Sequence, residues 1–486
     1  MADPSLASNL PYPLLVDAET GVAAPPLPLE NLGAVQQDLP GAAQRIVNRP
    51  DLGTAYMVDD PNDLTQTGWG ILFASDADPA IQAQLQPLID LRGGQVQDTT
   101  LFKKFLGNDG VLPGQSAESW ARQHGVSLTA AVDPSQGVPY YLLIVGSPER
   151  IPFEFQALLK MQWAVGRLYF DDIEDYGRYA QAVVQYESAS FKPVQTKNAA
   201  VWVTRNSGDL ATAMLSGAIS QDFLAPANQL GVRSRFLLSA FLNEKATKSQ
   251  LIEILRGNVA GGSPAVIFIG SHGCEYKSDD PVKQLRMQGS LLTQEWTPGT
   301  PAGPANQFCA DDVPADARLP GTIGFLFACY SGGCPARNNY YFANDGSPIN
   351  VAPASFITRL PQALLSHGML AVIAHIDLAF PYAFVDTSGT PQPQAIRTPL
   401  ELLMKGKRAG LAADSLSILW SSRSSLLAQA QAGAQAVPAA ATAASGAATA
   451  TPVSRAIAQM TIARDDARNY IVLGDPATRL RIESLK

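Results

Sequence analysis

The feature that most constrains this chain is a succession of short, almost wholly apolar runs, each closed by Gly, Pro or polar residues. They read Trp69-Gly-Ile-Leu-Phe-Ala-Ser75, Tyr140-Tyr-Leu-Leu-Ile-Val-Gly146, Ala199-Ala-Val-Trp-Val-Thr204, Ala265-Val-Ile-Phe-Ile-Gly270, Thr322-Ile-Gly-Phe-Leu-Phe-Ala328 and Met369-Leu-Ala-Val-Ile-Ala374. A strand that shows no polar alternation is buried on both faces, as strands are in a parallel sheet covered by helices. Between the runs lie stretches with apolar residues at three- and four-residue spacing: Pro79–Leu91, Ile173–Glu187, Asp209–Ser220 and Lys248–Asn258. Strands alternating with helices predict an α/β three-layer sandwich, a mostly parallel sheet with helices on both faces.

The pattern breaks over residues 188–197 and then restarts. This divides the chain into a Pro-, Gly- and Ala-rich extension over 1–64, a first α/β subdomain over 65–190 and a second over 191–486. The extension reads as a segment that wraps a domain or stays partly mobile. The Ala-dominated stretch 429–452 reads as a linker or a poorly anchored helix within the second subdomain.

The balance of charge excludes one class of partner. With 35 Lys and Arg against 43 Asp and Glu, the formal net charge is −8, which repels a phosphate backbone and argues against nucleic acid. No run approaches the roughly 18 apolar residues that a membrane span needs. Only Cys274, Cys309, Cys329 and Cys334 are available for disulfides, a usage that fits a reducing compartment. Residues 1–21 carry no basic, apolar leader pattern, so the expectation is a cytoplasmic protein.

Ligands of open α/β sheets bind beyond the C-terminal strand ends, and two of those ends carry reactive side chains. One reads Val266-Ile-Phe-Ile-Gly-Ser-His272-Gly273; the other reads Phe325-Leu-Phe-Ala328-Cys329-Tyr330-Ser331-Gly332-Gly333. Neighbouring strands lie about 4.8 Å apart, so the two ends can share one cleft. A thiol attacks as thiolate and needs a base. Histidine takes that proton and returns it to the leaving amine. The acyl intermediate needs backbone N–H donors, for which the amides of Gly273 and Cys329 are the candidates, with Gly332 and Gly333 keeping the opposite wall low. Cysteine and histidine at strand ends are each more often structural than catalytic; it is their joint occurrence that singles out this pair. Of the other histidines, His124 and His367 follow helical stretches, and His375, which ends a strand, is the main rival base. Zinc is disfavoured, because the Cys329/Cys334 and His272/Cys274 spacings do not match the usual paired ligands.

These residues resemble the clan that holds caspases, gingipains, legumains, separase and CHAT-domain proteases. The resemblance rests on apolar strand–His272–Gly273 and apolar strand–Ala328–Cys329. It is supported by Tyr141-Leu-Leu-Ile-Val-Gly-Ser-Pro-Glu-Arg-Ile-Pro152, Ala164-Val-Gly-Arg-Leu168 and the closing Val472-Leu-Gly-Asp-Pro-Ala-Thr-Arg-Leu480. It extends over about residues 66–482 and is nearest the gingipain-like and CHAT branches. Phe327-Ala328-Cys329-Tyr330-Ser331 departs from the caspase signature Q-A-C-[RQG]-G. The resemblance implies a caspase-like sheet in two tandem α/β subdomains, and a cysteine endopeptidase that works through a Cys329–His272 dyad and an acyl-enzyme on a protein or peptide substrate, under the control of an activating partner. Candidate acids for a pocket selecting a basic residue before the scissile bond are Asp377, Asp279 and Asp280; Arg337 and Arg286 are the basic alternatives. Cleavage after a basic residue is the favoured expectation. No cofactor is called for, and no residue pattern fixes a need for calcium. The alternatives are a non-catalytic interaction module on the same fold, and an acyl-transfer ligase or cyclase. The residue that orients His272 is not evident from the sequence.

Overall fold

A computed structural model describes residues 12–26, 58–226, 229–277, 279–342, 347–384, 392–435 and 452–486. The apolar runs become strands: β3 (Trp69–Phe73), β4 (Phe102–Phe105), β5 (Tyr141–Val145), β6 (Ala164–Leu168), β7 (Thr196–Val203), β8 (Leu237–Leu242), β9 (Pro264–Gly270), β13 (Ile323–Phe327), β16 (Ala371–His375) and β17 (Tyr470–Gly474). Every residue of β3, β5, β6, β9, β13, β16 and β17 is buried, as their lack of alternation requires. The strands form one ten-stranded sheet, ordered β4-β3-β5-β6-β17-β16-β13-β9-β7-β8. All pairings are parallel except β16 with β17. The sheet is flanked by helices, among them Pro79–Val96, Ile173–Glu187, Leu210–Phe223 and Lys248–Arg256. This is the expected α/β sandwich.

The antiparallel seam has a consequence for the site. The strands before it, with β17, run one way, and β16, β13, β9, β7 and β8 run the other. The C-terminal strand ends of the two halves therefore open on opposite edges of the sheet, and His272 and Cys329 belong to the edge of the second half. The halves also share more than tandem order implies, because β17, near the C-terminus, hydrogen-bonds to β6 of the first half. Gly166 of β6 lies so close to this joint that a Cβ there would sit 2.3 Å from the Gly474 carbonyl oxygen. Only glycine permits that approach.

A second, five-stranded sheet continues from the end of β9. Its strands are β1 (Leu15–Asp17), β2 (Val22–Ala23), β10 (Gly273–Glu275), β11 (Leu291–Leu292) and β12 (Gln307–Phe308), in the order β12-β11-β10-β1-β2. Thus residues 12–26 of the extension form an ordered hairpin with Leu14, Leu15 and Val16 buried. The reason is long-range: β1 pairs in parallel with β10, Leu15 opposite Gly273 and Asp17 opposite Glu275. A further hairpin, β14 (Arg337–Phe342) with β15 (Pro348–Asn350), follows Cys329. Of the Ala-rich stretch, residues 429–435 continue the helix Ala409–Gln435, and 436–451 lie outside the described residues. No helix among the described residues is long and apolar enough to cross a membrane.

Candidate active site

The two chemical segments meet through strand register. β9 and β13 are parallel neighbours, with Phe327 opposite Gly270. The ladder runs one step further, the Ser271 amide donating to the Phe327 carbonyl at 3.1 Å. His272 and Cys329 are each two residues beyond that matched pair, so their backbones stand side by side. Gly273 completes the contact: a Cβ on it would lie 1.9 Å from the Cys329 carbonyl oxygen. No side chain fits between these two turns, which is the physical demand behind the glycine after the histidine.

The His272 ring is fully buried. Its Nε2 lies 3.0 Å from Asp209 Oδ1, and it meets Trp296 edge to face at 5.7 Å between centroids. The Nε2–Asp209 approach lacks hydrogen-bond alignment, so neither ring nitrogen has a hydrogen-bond partner among the described residues. Asp209 is the acid beside the ring that sequence reading missed. It caps the helix Leu210–Phe223, accepting from the Thr212 amide at 2.7 Å and the Thr212 hydroxyl at 2.6 Å. Burial alone would raise its carboxyl, but the charge of the His272 ring and the Thr212 hydrogen bonds hold it at about 2. It is therefore ionised at any working pH. A cap signal was visible in Asp209-Leu-Ala-Thr212 directly after an apolar strand; what it faced was not. Asn206 steadies the same loop through bonds to the Thr293 and Trp296 carbonyls, both at 3.0 Å. A cavity of about 570 Å³ opens beside Asp209 and is lined also by Arg205 and Glu244.

The Cys329 sulfur is fully buried. It accepts from the Ala379 amide at 3.1 Å and lies 3.7 Å from the Ala379 carbonyl oxygen. Burial pushes the thiol well above its usual range; the Ala379 amide opposes this, while Asp377, Glu275 and Asp466 add to it. Tyr330, next in sequence, adopts a left-handed φ of +56°, which costs a non-glycine residue roughly 1–2 kcal/mol. The surroundings hold it there: its amide donates to the Asp377 carbonyl at 2.9 Å, and its hydroxyl lies 3.4 Å from Glu275 Oε1. A residue in this region persists only where its surroundings over-determine it.

The other predicted residues divide. Asp377 is buried, accepting from Asn339 Nδ2 at 2.6 Å and the Leu378 amide at 2.8 Å; burial raises it to about 6 against those hydrogen bonds. Glu275, which the sequence did not single out, is raised to about 7, chiefly by burial and then by Asp17 and Asp377, with Tyr330 opposing. Carboxylates thus gather on the sulfur's side of the cleft. Asp279 and Asp280 are exposed, Asp280 capping the short helix Pro281–Met287. Arg286 is tied to exposed Asp311, and Arg337 begins β14. His375, the rival base, has both ring nitrogens at backbone carbonyls, Nδ1 at 2.9 Å from Asp377 and Nε2 at 3.1 Å from Asp466, so it links β16 to the helix Pro452–Arg468. Gly332 and Gly333 are packed against Ala374 and Phe153 and form interior contacts, where the sequence reading had them as a low cleft wall. The four cysteines are free thiols.

The Gly273 amide, the expected oxyanion donor, donates to the Leu14 carbonyl at 2.9 Å. The Leu14 amide in turn donates to the Ala379 carbonyl at 2.9 Å. Leu14 therefore bridges the two walls of the cleft.

No family model matches the chain, and no curated protein matches it. Solved structures do resemble it. One, named only as "Structure of Protease", gives a TM-score of 0.46 and 10% identity over 85% of this chain and 78% of that one. The Saccharomyces cerevisiae separase–securin complex gives a TM-score of 0.33 and 12% identity over 70% of this chain and 16% of that one, and a second structure of the same complex gives 0.31 at the same identity. At 10% and 12% identity, a likeness of this kind concerns the fold.

Proposed function

We propose that the chain is a cysteine endopeptidase in which Cys329 attacks a peptide carbonyl, His272 moves the proton and Asp209 orients the imidazole. The observation that carries this reading is the register of β9 and β13, which brings Ser271-His272-Gly273 alongside Ala328-Cys329 until the Gly273 and Cys329 backbones touch. The sulfur bonds to the carbonyl carbon, the imidazole accepts the thiol proton, and the developing oxyanion is held by the Gly273 and Cys329 amides. The imidazolium then protonates the leaving amine as the C–N bond breaks, and water hydrolyses the thioester, returning the thiol. Glu275 and Asp377 on the sulfur's side support a preference for Lys or Arg before the scissile bond.

The test is a panel of fluorogenic peptides differing only in that residue, with product masses read to separate hydrolysis from ligation. Lys and Arg substrates should exceed Asp by at least tenfold in kcat/KM. Equal rates across the panel would remove the specificity assignment, and ligated products would move the chain to the transferases.

A second reading, a non-catalytic interaction module, is favoured by one observation: the Cys329 and His272 side chains are both fully buried. The two readings part on whether that closure is reversible.

A further inference from the structure

We propose that residues 12–17 are an internal occupant of the catalytic cleft, a strand held in cis where the acyl part of a peptide substrate would bind, and that its release exposes Cys329. The inference rests on the peptidase reading for the identity of the cleft.

Leu14 carries the case. Its carbonyl takes the Gly273 N–H at 2.9 Å, the donor that an oxyanion requires, and its N–H is held by the Ala379 carbonyl at 2.9 Å. Ala379 is the same residue whose amide donates to the Cys329 sulfur at 3.1 Å. A peptide entering for attack at Cys329 must satisfy these same backbone groups, and the chain has filled them with its own residue. The strand is fixed further along. Val16 is opposite Cys274 and Asp17 opposite Glu275, and the Ala18 amide donates to the Glu275 carbonyl at 2.9 Å. Beyond the strand, the Pro25 carbonyl accepts from the Tyr341 hydroxyl at 2.9 Å, so the β14–β15 hairpin is tied to the same segment.

The occupant is suited to blocking more than to turnover. Leu14 and Leu15 are aliphatic, where the carboxylates of Glu275 and Asp377 near the sulfur would reward a cation. The hairpin is also locked from a distance. Gly21 has a φ of +65°, and a Cβ on it would lie 2.0 Å from the Thr300 carbonyl oxygen; the Thr300 loop reaches it through a 2.7 Å bond from the Gly299 amide to the Gly21 carbonyl. A side chain at position 21 evicts the hairpin without touching Cys329, His272 or Asp209.

The experiment measures the rate of iodoacetamide alkylation at Cys329 by peptide-mapping mass spectrometry in the full chain, in Gly21→Val and in Leu14→Asp. A synthetic peptide of residues 12–24 is then added to each. Both variants should alkylate at least tenfold faster than wild type, and the peptide should slow them again. Thermal melting reports whether each variant remains folded; should Gly21→Val fail to melt cooperatively, Leu14→Asp carries the test. Folded variants that alkylate at the wild-type rate, or a rate that the peptide leaves unchanged, would overturn the proposal. Peptide hydrolysis is read in parallel. Faster alkylation without hydrolysis retains the blocking strand and removes the peptidase reading. Full hydrolysis by the unaltered chain retains the peptidase and removes the block.

Discussion

Replacing Cys329 with alanine in the released enzyme is expected to abolish peptide hydrolysis, and replacing His272 with alanine to lower it by about 10³–10⁴-fold or more. The two losses should not add, because thiol and imidazole act on the same proton. The sulfur sits among Asp377, Glu275 and Asp466, whose charges oppose its ionisation, so little thiolate forms without a cationic partner. The proposed partner is the His272 imidazole, whose Nε2 lies 3.0 Å from Asp209 Oδ1. The check is steady-state hydrolysis of the best basic-site peptide by both single variants and the double variant, with melting temperatures alongside. A Cys329→Ala enzyme that still cleaved would require another nucleophile.

The largest effect on stability is expected at Arg92. Its guanidinium is fully buried between two acids, Nε to Asp475 Oδ2 at 2.7 Å and a paired contact to Glu187 at 2.7 and 2.8 Å. Asp475 also accepts from the Trp69 indole at 3.0 Å and from the Ala477 amide at 3.0 Å. The Arg92→Ala variant leaves two buried or nearly buried carboxylates without their cation and should cost about 3–5 kcal/mol. The measurement is equilibrium urea unfolding. A loss below about 1 kcal/mol would mean that the surrounding donors suffice. The replacement lies far in sequence from Cys329 and His272, and its effect should appear in stability before it appears in the chemistry.

Much of this was legible in the sequence because the strongest signals are local. Strands buried on both faces must be apolar throughout, so the runs at Trp69, Tyr141, Ala265, Ile323 and Met369 announce themselves. Strand-end chemistry is likewise read from adjacent residues, which is why His272 and Cys329 could be proposed as a pair; the register sets their backbones side by side, while the hydrogen-bond contacts of the sulfur are both to Ala379. What escaped depends on partners remote in the chain. Asp209 reads as an ordinary helix cap until β7 is placed beside β9. β1 is three residues long in a Pro-rich stretch, and nothing in its own pattern says that it completes a sheet with Gly273. The segments that supported the family resemblance turn out to serve the first half and its joint with the second. Arg167 of Val-Gly-Arg-Leu holds the loop after β5 through the Gly146 carbonyl at 2.9 Å and the Ile151 carbonyl at 2.7 Å. Gly166 packs on Gly474 and Pro476, and Asp475 of Gly-Asp-Pro anchors Arg92. They constrain the fold, and the chemistry is assigned to other residues.

The most direct measurement is to treat the released Gly21→Val enzyme with a peptidyl acyloxymethyl ketone ending in lysine and to locate the adduct by mass spectrometry. A single adduct on Cys329, lost when His272 is alanine and prevented by the peptide of residues 12–24, is the expected result. Adducts on Cys274, Cys309 or Cys334, or labelling of Cys329 that does not depend on His272, would contradict the shared-cleft dyad.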